Sequence, residues 1–401
     1  MSNAPLGRPL GGVRVCVLTT VHTATDVRIF YKEALSLAAA GCHVTVIGPW
    51  EGGEQPAESV RIRGIQTRRT RWQRFALLLP ALRLALRTHA DIYHIHDPEL
   101  LVVAPVLRML SGKPVVYDVH EYYPEAIIAK DWIPGPLRRH VSRAYVVLER
   151  LVYPFLAGFV HPTPDLVDLY RWAKRPHVLV ANFAPARHYL DPDTTTPRPP
   201  VAVFVGSLSR TRAIDVLLEA MPRLLARCSH ARLLLIGTAT TKSYQEELQR
   251  RARELGVSES VEFRGWVPFP LLREAMSQAY VGVALYLPIA DMGRGWPTKV
   301  FEYMAAGLPV ITADLPNCRA IVEGAGCGLA VDSRDAAAVA DALAYLFEHP
   351  AEAAEMGRRG RRGFLARYTW EGEAAKLVGL YARLLHRRPR RDEPSHGVPA
   401  E

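Results

Sequence analysis

Cysteine is scarce in this sequence, and its few copies are scattered along the chain. There are five cysteines, with no CxxC pair among them: Cys16, Cys42, Cys228, Cys318 and Cys327. An odd, dispersed set argues against a disulfide framework and against a structural zinc site. We therefore expect buried free thiols and a location in the reducing cytoplasm.

Long apolar runs are also missing. No uncharged apolar stretch approaches the ~18 residues that a membrane-spanning helix needs. We therefore expect no transmembrane helix, and any association with a membrane would be peripheral.

Glycine is absent where one common class of enzymes requires it. The residues TTVHTATD, which follow the first predicted strand, contain no glycine. A nicotinamide-dependent oxidoreductase needs a GxGxxG turn at this position, so that class is excluded.

Carboxylates are missing from one stretch of the chain, although the net charge of +10 is only moderate. Residues 61–90 contain eight arginines and no acidic residue. Few aromatic residues are interleaved with these arginines, which argues against nucleic-acid binding. An anionic membrane surface is a partner that such charge could attract.

The same stretch contains an amphipathic segment, RWQRFALLLPALRLALRTH. At helical spacing its apolar residues share one side: Phe75, Leu78, Leu79, Leu82 and Leu86. One interpretation is a helix packed on the core with a solvated basic back. The other is a membrane-facing patch extending over Arg61–Arg87, on the inner face of the cytoplasmic membrane.

What is abundant is the alternation of β-rich and helical patterns. Continuous Val/Ile/Leu runs favour parallel strands buried on both faces, and alternation with helices favours doubly wound sheets. A proline-rich break divides the chain into two Rossmann-like domains. The expected divisions are a first domain at 1–183, a linker at 184–200, a second domain at 201–368, a terminal helix at 369–386 and a disordered basic tail at 387–401. The terminal helix could cross back to the first domain.

The segment WPTKVFEYMAAGLPVI, residues 296–311, predicts a helix with charged residues beside its apolar stripe. Thr298 could cap this helix, and Gly307 could end it. Lys299 and the free N–H groups of the first turn suit a diphosphate, and Glu302 one turn later could accept hydrogen bonds from a ribose diol. Alternatively, Glu302 and Lys299 merely pair on a solvated face.

This segment resembles the donor-site signature of GT-B glycosyltransferases, specifically the retaining enzymes of family 4. The stretches TTVHTATDVRIFYKEALSLAAAGCHVTVIG, DIYHIHDPEL, KPVVYDVHEYYPE and FVGSLSRTRAIDVLLEA resemble other parts of that family. The resemblance covers roughly residues 13–385. It implies an α/β, two-domain GT-B architecture with parallel sheets facing each other across a cleft. The first domain would bind the acceptor and the second the nucleotide-sugar donor.

The resemblance also implies roles for residues of the second domain. Arg212 and Lys299 would stabilise the departing diphosphate as catalytic cations. The residues expected to bind the donor are Gly206, Ser207, Arg210, Arg264, Trp266, Asp291, Gly293, Thr298 and Glu302. Many members carry a glutamate eight residues before that of the EYMA motif, but Arg294 stands there in this chain. The identity of the donor sugar is therefore open.

In the first domain, His120 corresponds to the family's histidine that faces the donor sugar, and it is the third catalytic candidate. The residues expected to contact the acceptor are His22, Asp26, Arg28, His96, Asp97 and Glu121. His96 and Asp97 could instead cap the following helix.

The expected activity is transfer of a hexose from a UDP- or GDP-sugar, with retention and without a metal ion or another cofactor, in cell-surface polysaccharide or glycolipid assembly. The acceptor would be a sugar or a lipid-linked sugar. DPD at 191–193 has the form of a metal-binding motif, but it lies in the predicted linker. A nucleotide-sugar epimerase, a phosphorylase and a non-catalytic nucleotide-sugar binding protein remain alternatives, because the fold alone does not exclude them.

Overall fold

The computed structural model describes residues 10–52, 59–66, 72–130, 132–189, 198–288 and 295–386. The chain forms two compact units. Unit 1 comprises residues 1–180 and 373–401, and unit 2 comprises residues 181–372.

The transition between the units differs from the sequence prediction. The chain enters unit 2 at Ala181, whereas the first domain was expected to extend to residue 183. Phe183, Ala184 and Tyr189 are buried in the core of unit 2, so the beginning of the predicted linker is packed. These apolar residues show no helical or strand periodicity. Because prolines surround them, the sequence pattern indicated a linker and not a part of the core. Residues 190–197 lie outside the described part of the chain.

Unit 1 contains a parallel sheet of seven strands in the order β3-β2-β1-β4-β5-β6-β7. The strands are β1 Arg14–Leu18, β2 His43–Pro49, β3 Val60–Ile65, β4 Ile92–Ile95, β5 Val115–Asp118, β6 Gly158–His161 and β7 His177–Leu179. Its α-helices are α1 Leu35–Ala39, α2 Leu78–Arg87, α3 Ala104–Ser111, α4 Tyr123–Ile128, α5 Gly135–Val152 and α6 Pro164–Leu169. Every residue of β4, β5 and β6 is buried, as the continuous apolar runs predicted.

Unit 2 contains a parallel sheet of six strands in the order β10-β9-β8-β11-β12-β13. The strands are β8 Val201–Val205, β9 Arg232–Ile236, β10 Val261–Gly265, β11 Val281–Ala284, β12 Val310–Ala313 and β13 Gly328–Val331. Its helices are α7 Ile214–Arg227, α8 Lys242–Glu254, α9 Phe269–Ser277, α10 Thr298–Ala305, α11 Pro316–Ala325, α12 Ala336–Glu348 and α13 Pro350–Arg367. Helix α14, Trp370–His386, follows, and from Glu373 onward it belongs to unit 1.

Both sheets reverse their strand order at one place. In unit 1 the chain winds outward from β1 in one direction and from β4 in the other; β8 and β11 form the corresponding pair in unit 2. The loops after such a strand pair diverge and leave a crevice at the carboxyl edge of the sheet. The candidate residues of both units lie at these two edges.

The arginine-rich amphipathic segment forms a short 3₁₀ turn followed by α2. Leu78, Leu82 and Leu86 pack against the core of unit 1, which supports the core-packed interpretation for this side of the helix. Phe75 and Leu79 remain more than half exposed. Among the described residues, no helix is long and apolar enough to cross a membrane.

Candidate functional site

In unit 2 two glycines let the backbone come close together at the carboxyl edge of the sheet. Gly206 follows β8 with φ +143°, and Gly237 follows β9 with φ +139°. A Cβ atom on Gly237 would overlap the Gly206 carbonyl. Side chains are therefore disfavoured at both glycines, and the loop from Gly206 to the exposed Ser207 presents its backbone.

Two cationic side chains converge beside Gly206. A Cβ placed on this glycine would lie 3.1 Å from Arg212 Nη1 and 3.7 Å from Lys299 Cε. The Arg212 guanidinium also lies 5.9 Å from the centre of the Tyr286 ring. Among the described residues, no carboxylate lies within ion-pair distance of Arg212. Two positive charges therefore gather at the crevice of unit 2, and one of them is unneutralised.

Glu302 is paired with Lys299, but it is not on a solvated face. The ammonium of Lys299 donates to Glu302 Oε2 at 2.8 Å, and the glutamate residue is only 7% exposed. The alternative that Glu302 merely pairs with Lys299 on a solvated face is thus correct about the ion pair and wrong about the exposure of Glu302. A buried carboxylate beside open space and a cation is suited to receive donors from a ligand.

Helix α10, which carries Lys299 and Glu302, begins at the residue that was predicted to cap it. Thr298 is the first residue of α10, Pro297 occupies the N-cap position, and no side chain caps the helix there. The prediction that Thr298 caps α10 is therefore wrong. The end is as predicted, since Gly307 has φ +68° just after the last turn.

Tyr303 attaches α10 to the sheet, and sequence reasoning missed this role. Its hydroxyl accepts from the backbone N–H of Val205 at 3.0 Å and donates to the carbonyl of Val283 at 3.1 Å. Gly282 leaves the space that the Tyr303 ring fills. Because β8 ends at Val205, this hydroxyl fixes the start of the glycine loop relative to Lys299 and Glu302. The only sequence signal was a tyrosine in an apolar stripe.

The remaining donor candidates are engaged elsewhere or lie outside the described residues. Arg210 donates to both oxygens of Glu247 at 2.7 and 2.6 Å, and its guanidinium lies over the Tyr244 ring. Arg264 donates to Glu262 at 2.7 Å, whereas Trp266 is 71% exposed after β10. Asp291, Gly293 and Arg294 are outside the described part of the chain.

In unit 1 three histidines meet at the carboxyl edge. His96 Nδ1 lies 3.0 Å from His120 Nε2, and the His22 ring stacks on that of His120 with a centroid distance of 5.1 Å. Burial lowers the pKa of His120, and the neighbouring Asp118 carboxylate opposes this effect only partly. A neutral imidazole at this position can donate or accept a hydrogen bond from a bound sugar.

Two of the acceptor candidates hold the local backbone instead. The carboxylate of Asp97 accepts from the N–H groups of Thr20 and Val21 and from the Thr19 hydroxyl, at 2.5–3.1 Å. Asp97 sits at the N-cap position of the following 3₁₀ turn, but its side chain makes no cap bond there. Asp26 caps the helical segment that leads into α1, with its carboxylate accepting from the N–H groups of residues 28 and 29. The cap predicted for Asp97 is thus wrong, and a cap exists at Asp26 where none was predicted.

Arg28 is an internal residue and not a surface group that grips the acceptor. It is 5% exposed, donates to Asp118 Oδ2 at 3.0 and 2.8 Å, and lies 3.0 Å from Glu33 Oε1. Burial and the Asp118 charge raise the pKa of Glu33, whereas Arg28 holds the pKa of Asp118 low. The expectation that Arg28 contacts the acceptor is therefore corrected: the residue neutralises buried carboxylates.

The buried cluster extends to residues that the sequence did not single out. The hydroxyl of Tyr381, on α14, lies 2.8 Å from His94 Nδ1, and the His94 ring stacks on His96. Burial lowers the pKa of His94 to about 4. The alternating DIYHIHD pattern at residues 91–97 put His94 on the same side of β4 as His96, but its partner is 287 residues away in sequence.

Two groups in this cluster have the spacing of metal ligands. They are Glu33 with His94 and His96, and His96 with Asp118 and His120; in each, the ligand atoms lie within 4.8 Å of one another. The guanidinium of Arg28 already contacts both carboxylates. A second cation would meet its repulsion, so the described geometry favours an internal ion-pair network.

A cavity of about 620 Å³ opens beside the histidines, entirely within unit 1. His22, Asp97, His120 and Glu121 line one end of it. The rest of the lining is mainly apolar and comes from the segments around α4 and α5, from the turn before α2 and from the turn after β4. It also includes the charged residues Arg74, Glu99 and Lys130. Of the acceptor candidates, the structure thus brings His22, Asp97 and Glu121 to the cavity with His120. His96 lies behind them, fully buried.

Comparisons with known proteins converge on one family. Residues 27–182 match the family described as "Glycosyl transferase 4-like domain", and residues 199–349 match "Glycosyl transferases group 1". The chain is 27% identical over 381 residues to a GDP-mannose-dependent alpha-(1-6)-phosphatidylinositol monomannoside mannosyltransferase of Mycolicibacterium smegmatis, covering 87% of this chain and 93% of the relative. It is 26% identical to a D-inositol 3-phosphate glycosyltransferase of Nocardia farcinica, over 95% of this chain and 88% of the relative.

Solved structures agree on the fold. Sucrose-phosphate synthase from Thermosynechococcus elongatus superposes with a TM-score of 0.68 at 20% identity, covering 93% of this chain and 99% of that one. Anabaena HepE in complex with UDP and glucose gives a TM-score of 0.69 at 14% identity, covering 92% and 100%. At such identities the likeness concerns the fold alone, and it confirms the predicted α/β, two-domain GT-B class.

Proposed function

Because the chain belongs to the group 1 glycosyltransferases of the GT4 type, we propose that it transfers a hexose from a nucleoside-diphosphate sugar to a hydroxyl acceptor. The transfer retains the configuration of the sugar and needs no metal ion. The product belongs to cell-surface polysaccharide or glycolipid assembly. The relative named as a phosphatidylinositol monomannoside mannosyltransferase supports a glycolipid product.

The observation that carries the proposal is the pair of cations beside Gly206, with Glu302 one turn along α10. Arg212 Nη1 and Lys299 Cε approach the same point, next to a backbone that admits no side chain. A diphosphate bound there meets two positive charges and the first-turn N–H groups of α10. The buried carboxylate of Glu302, one turn after the first residue of α10, can then accept hydrogen bonds from the ribose diol of the same nucleotide.

Breaking the bond between the sugar and the diphosphate leaves negative charge on the phosphate and positive character on the sugar. Arg212 and Lys299 stabilise the leaving group, which is the role a metal ion has in other transferases. The departing phosphate oxygen takes the proton of the acceptor hydroxyl, and that hydroxyl forms the new bond on the same face of the sugar. In unit 1, His120 contacts His96 and His22 and can hydrogen-bond a bound sugar.

The first test is the binding of nucleotide sugars by the purified protein. In a thermal-shift panel of UDP-, GDP-, ADP- and dTDP-sugars, the sugars of one nucleotide should raise the melting temperature of the protein. We expect that nucleotide to be UDP or GDP. Stabilisation follows RT ln(1 + [L]/Kd), so a shift that grows with concentration reports binding. Transfer to an acceptor separates a transferase from an epimerase, which acts without an acceptor, and from a non-catalytic binder. Absorbance by pyridoxal would instead indicate a phosphorylase.

Glu302→Ala should remove most of the donor affinity and leave the fold intact. The loss of two hydrogen bonds to a charged acceptor weakens binding by roughly 100-fold or more. The matched control is Glu323→Ala on α11, where the glutamate side chain is 65% exposed. An unchanged nucleotide-sugar Kd in Glu302→Ala would reduce Glu302 to a partner of Lys299.

The second part of the proposal concerns the membrane. The exposed arginines Arg61, Arg63, Arg83 and Arg87 lie on β3 and α2 of unit 1. Phe75 and Leu79 are exposed close to them. These features support contact of unit 1 with an anionic membrane surface, from which a lipid-linked acceptor would reach the enzyme.

A further inference from the structure

Helix α5 carries an apolar stripe of which only Leu148 packs against the core of unit 1. Leu137, Val141, Ala144, Leu148 and Leu151 recur at the spacing of one helix face. Leu137, Val141 and Leu151 are 52%, 40% and 68% exposed. The buried residues of α5 lie on another face: Ser142, Tyr145, Glu149 and Val152. The helix is therefore already attached to the core, and its apolar stripe is left facing outward.

The middle of this stripe forms one wall of the cavity beside the histidines. Val141, Ala144 and Leu148 line it together with Tyr145 of the same helix. Ile127 and Ile133 belong to the same lining. Trp132 and Phe75 add large aromatic surfaces that are 44% and 55% exposed. An apolar wall of this extent, open to solvent, marks a place where apolar ligand surface binds.

The lining of the cavity combines two kinds of chemistry. His120 and His22 stack beside the Asp97 carboxylate, and they can bind a hydroxyl. The charged Arg74, Glu99 and Lys130 also belong to the lining, but most of it is apolar, and side chains such as Ile133, Val141 and Leu148 offer no hydrogen-bond partner to a second sugar ring. A free oligosaccharide would bury hydroxyls against these side chains without compensation, which weakens its binding. An aliphatic chain would instead gain by leaving water.

We propose that this cavity binds the aliphatic chain of a lipid-linked acceptor, with the reacting sugar held at His120 and the chain lying along α5. The inference rests on the proposed function and names the acceptor class for it. The stripe continues past the cavity at Leu137 and Leu151, so a chain longer than the cavity remains on apolar surface.

The test measures chain-length dependence of binding to the full-length protein. The probes are methyl, hexyl and octyl β-D-glucoside, used below the micelle concentration in titration calorimetry. Each methylene that enters the cavity should tighten binding by roughly three- to fourfold. Octyl glucoside should therefore bind far more tightly than methyl glucoside. Equal affinity of the three probes would overturn the proposal.

Two matched variants on α5 test where the aliphatic chain of the probe binds. Val141→Asn places a polar amide in the cavity wall and should weaken octyl glucoside about tenfold, with methyl glucoside unchanged. Val147→Asn is the control, because Val147 is 57% exposed on the same helix and does not line the cavity. Equal effects of the two variants, or none from Val141→Asn, would place the chain elsewhere. Both positions are exposed, and thermal melting checks that both variants are folded.

The donor panel separates this inference from the function on which it rests. A nucleotide sugar that stabilises the protein while the alkyl glucosides show no chain-length preference would contradict the lipid-chain site alone. Chain-length-dependent binding without any nucleotide-sugar shift would contradict the transferase and leave the cavity as an alkyl-binding site.

Discussion

Arg210 and Arg212 are two residues apart, yet their surroundings are opposite. Arg210 is 62% exposed at its side chain and forms a pair with Glu247, whereas Arg212 approaches Gly206 and has no carboxylate partner among the described residues. A guanidinium that is already neutralised has little to offer a diphosphate. The neighbouring side chains, and not the position in the sequence, therefore decide which arginine can bind the diphosphate.

Arg212→Ala should therefore lower turnover by ~100-fold or more, since it removes charge stabilisation at the leaving group. Arg210→Ala should lower turnover by far less, because it breaks only an exposed pair. Steady-state kcat and KM for the best nucleotide sugar measure both effects. The opposite order would mean that Arg210 leaves Glu247 and carries the charge.

The buried histidines of unit 1 give stability a defined pH dependence. Burial lowers the pKa of His94 to about 4 and that of His161 to about 3, from an ordinary value of 6.5. Between pH 6.5 and about 4 the unfolded chain takes up protons that the native state refuses. The stabilisation is thus complete above pH 6.5 and is lost as the pH falls. Glu33, whose pKa burial raises, acts in the opposite direction.

We therefore expect the free energy of unfolding to fall with pH in this window, by at most about 1.4 kcal/mol per pH unit for each such histidine. His161→Phe, which keeps the stacking on Phe159, should make the fall shallower. Urea unfolding at pH 4.5, 5.5 and 6.5 measures the slope. The exposed His230→Asn is the control, and an unchanged slope in His161→Phe would exclude His161 as a source.

At the scale of elements, one buried hydroxyl ties α10 to two strands of the sheet. Tyr303 is fully buried, and its Oη bridges β8 and β11 through Val205 and Val283. Tyr303→Phe leaves the buried N–H of Val205 without this partner, at a cost of about 1–3 kcal/mol in the free energy of unfolding. Donor KM should rise as well, because the same bond aligns Gly206 with Lys299.

Urea denaturation and donor kinetics of Tyr303→Phe are the two measurements. Tyr345→Phe is the matched control, since its hydroxyl donates to Glu352 on the surface. A loss of stability without any change in donor KM would show that Tyr303 supports the fold but does not position the site.

Element types and order followed from the sequence because each strand is a buried apolar run and each helix has a periodic stripe. Phe301, Met304, Ala305 and Leu308 all proved fully buried, as the stripe of α10 predicted. The donor candidates Lys299 and Glu302 could be predicted because they belong to one short motif, residues 296–311, that folds into a single helix. The partners of Glu33, Arg28 and His94 could not be predicted, because their contacts join β4, β5, α14 and the helical segment Val27–Ala34 across long sequence separations. A polar side chain near a strand end shows that a site is close, but not whether the residue binds ligand or backbone.

At the scale of the whole molecule, the positive charge is distributed unevenly. Residues 61–90 lack any carboxylate, and the described arginines among them lie on β3, on α2 and in the turn before α2, all in unit 1. The apolar side of α2 mostly packs inward, so attraction to a membrane must come mainly from charge and from Phe75 and Leu79. Charge attraction is weakened by salt, whereas apolar insertion is not.

The full-length protein should therefore sediment with anionic phosphatidylglycerol liposomes at low salt, and much less with neutral phosphatidylcholine liposomes. Each arginine near an anionic surface contributes on the order of 1 kcal/mol, so Arg83→Ala/Arg87→Ala should weaken binding about 10- to 30-fold. The control removes two exposed arginines of α8 in unit 2, Arg250→Ala/Arg253→Ala, and should bind as the unchanged protein does. High salt should release the unchanged protein from the anionic vesicles. Equal binding to both vesicle types, or equal losses in the two double variants, would show that the arginines of unit 1 do not form a membrane surface.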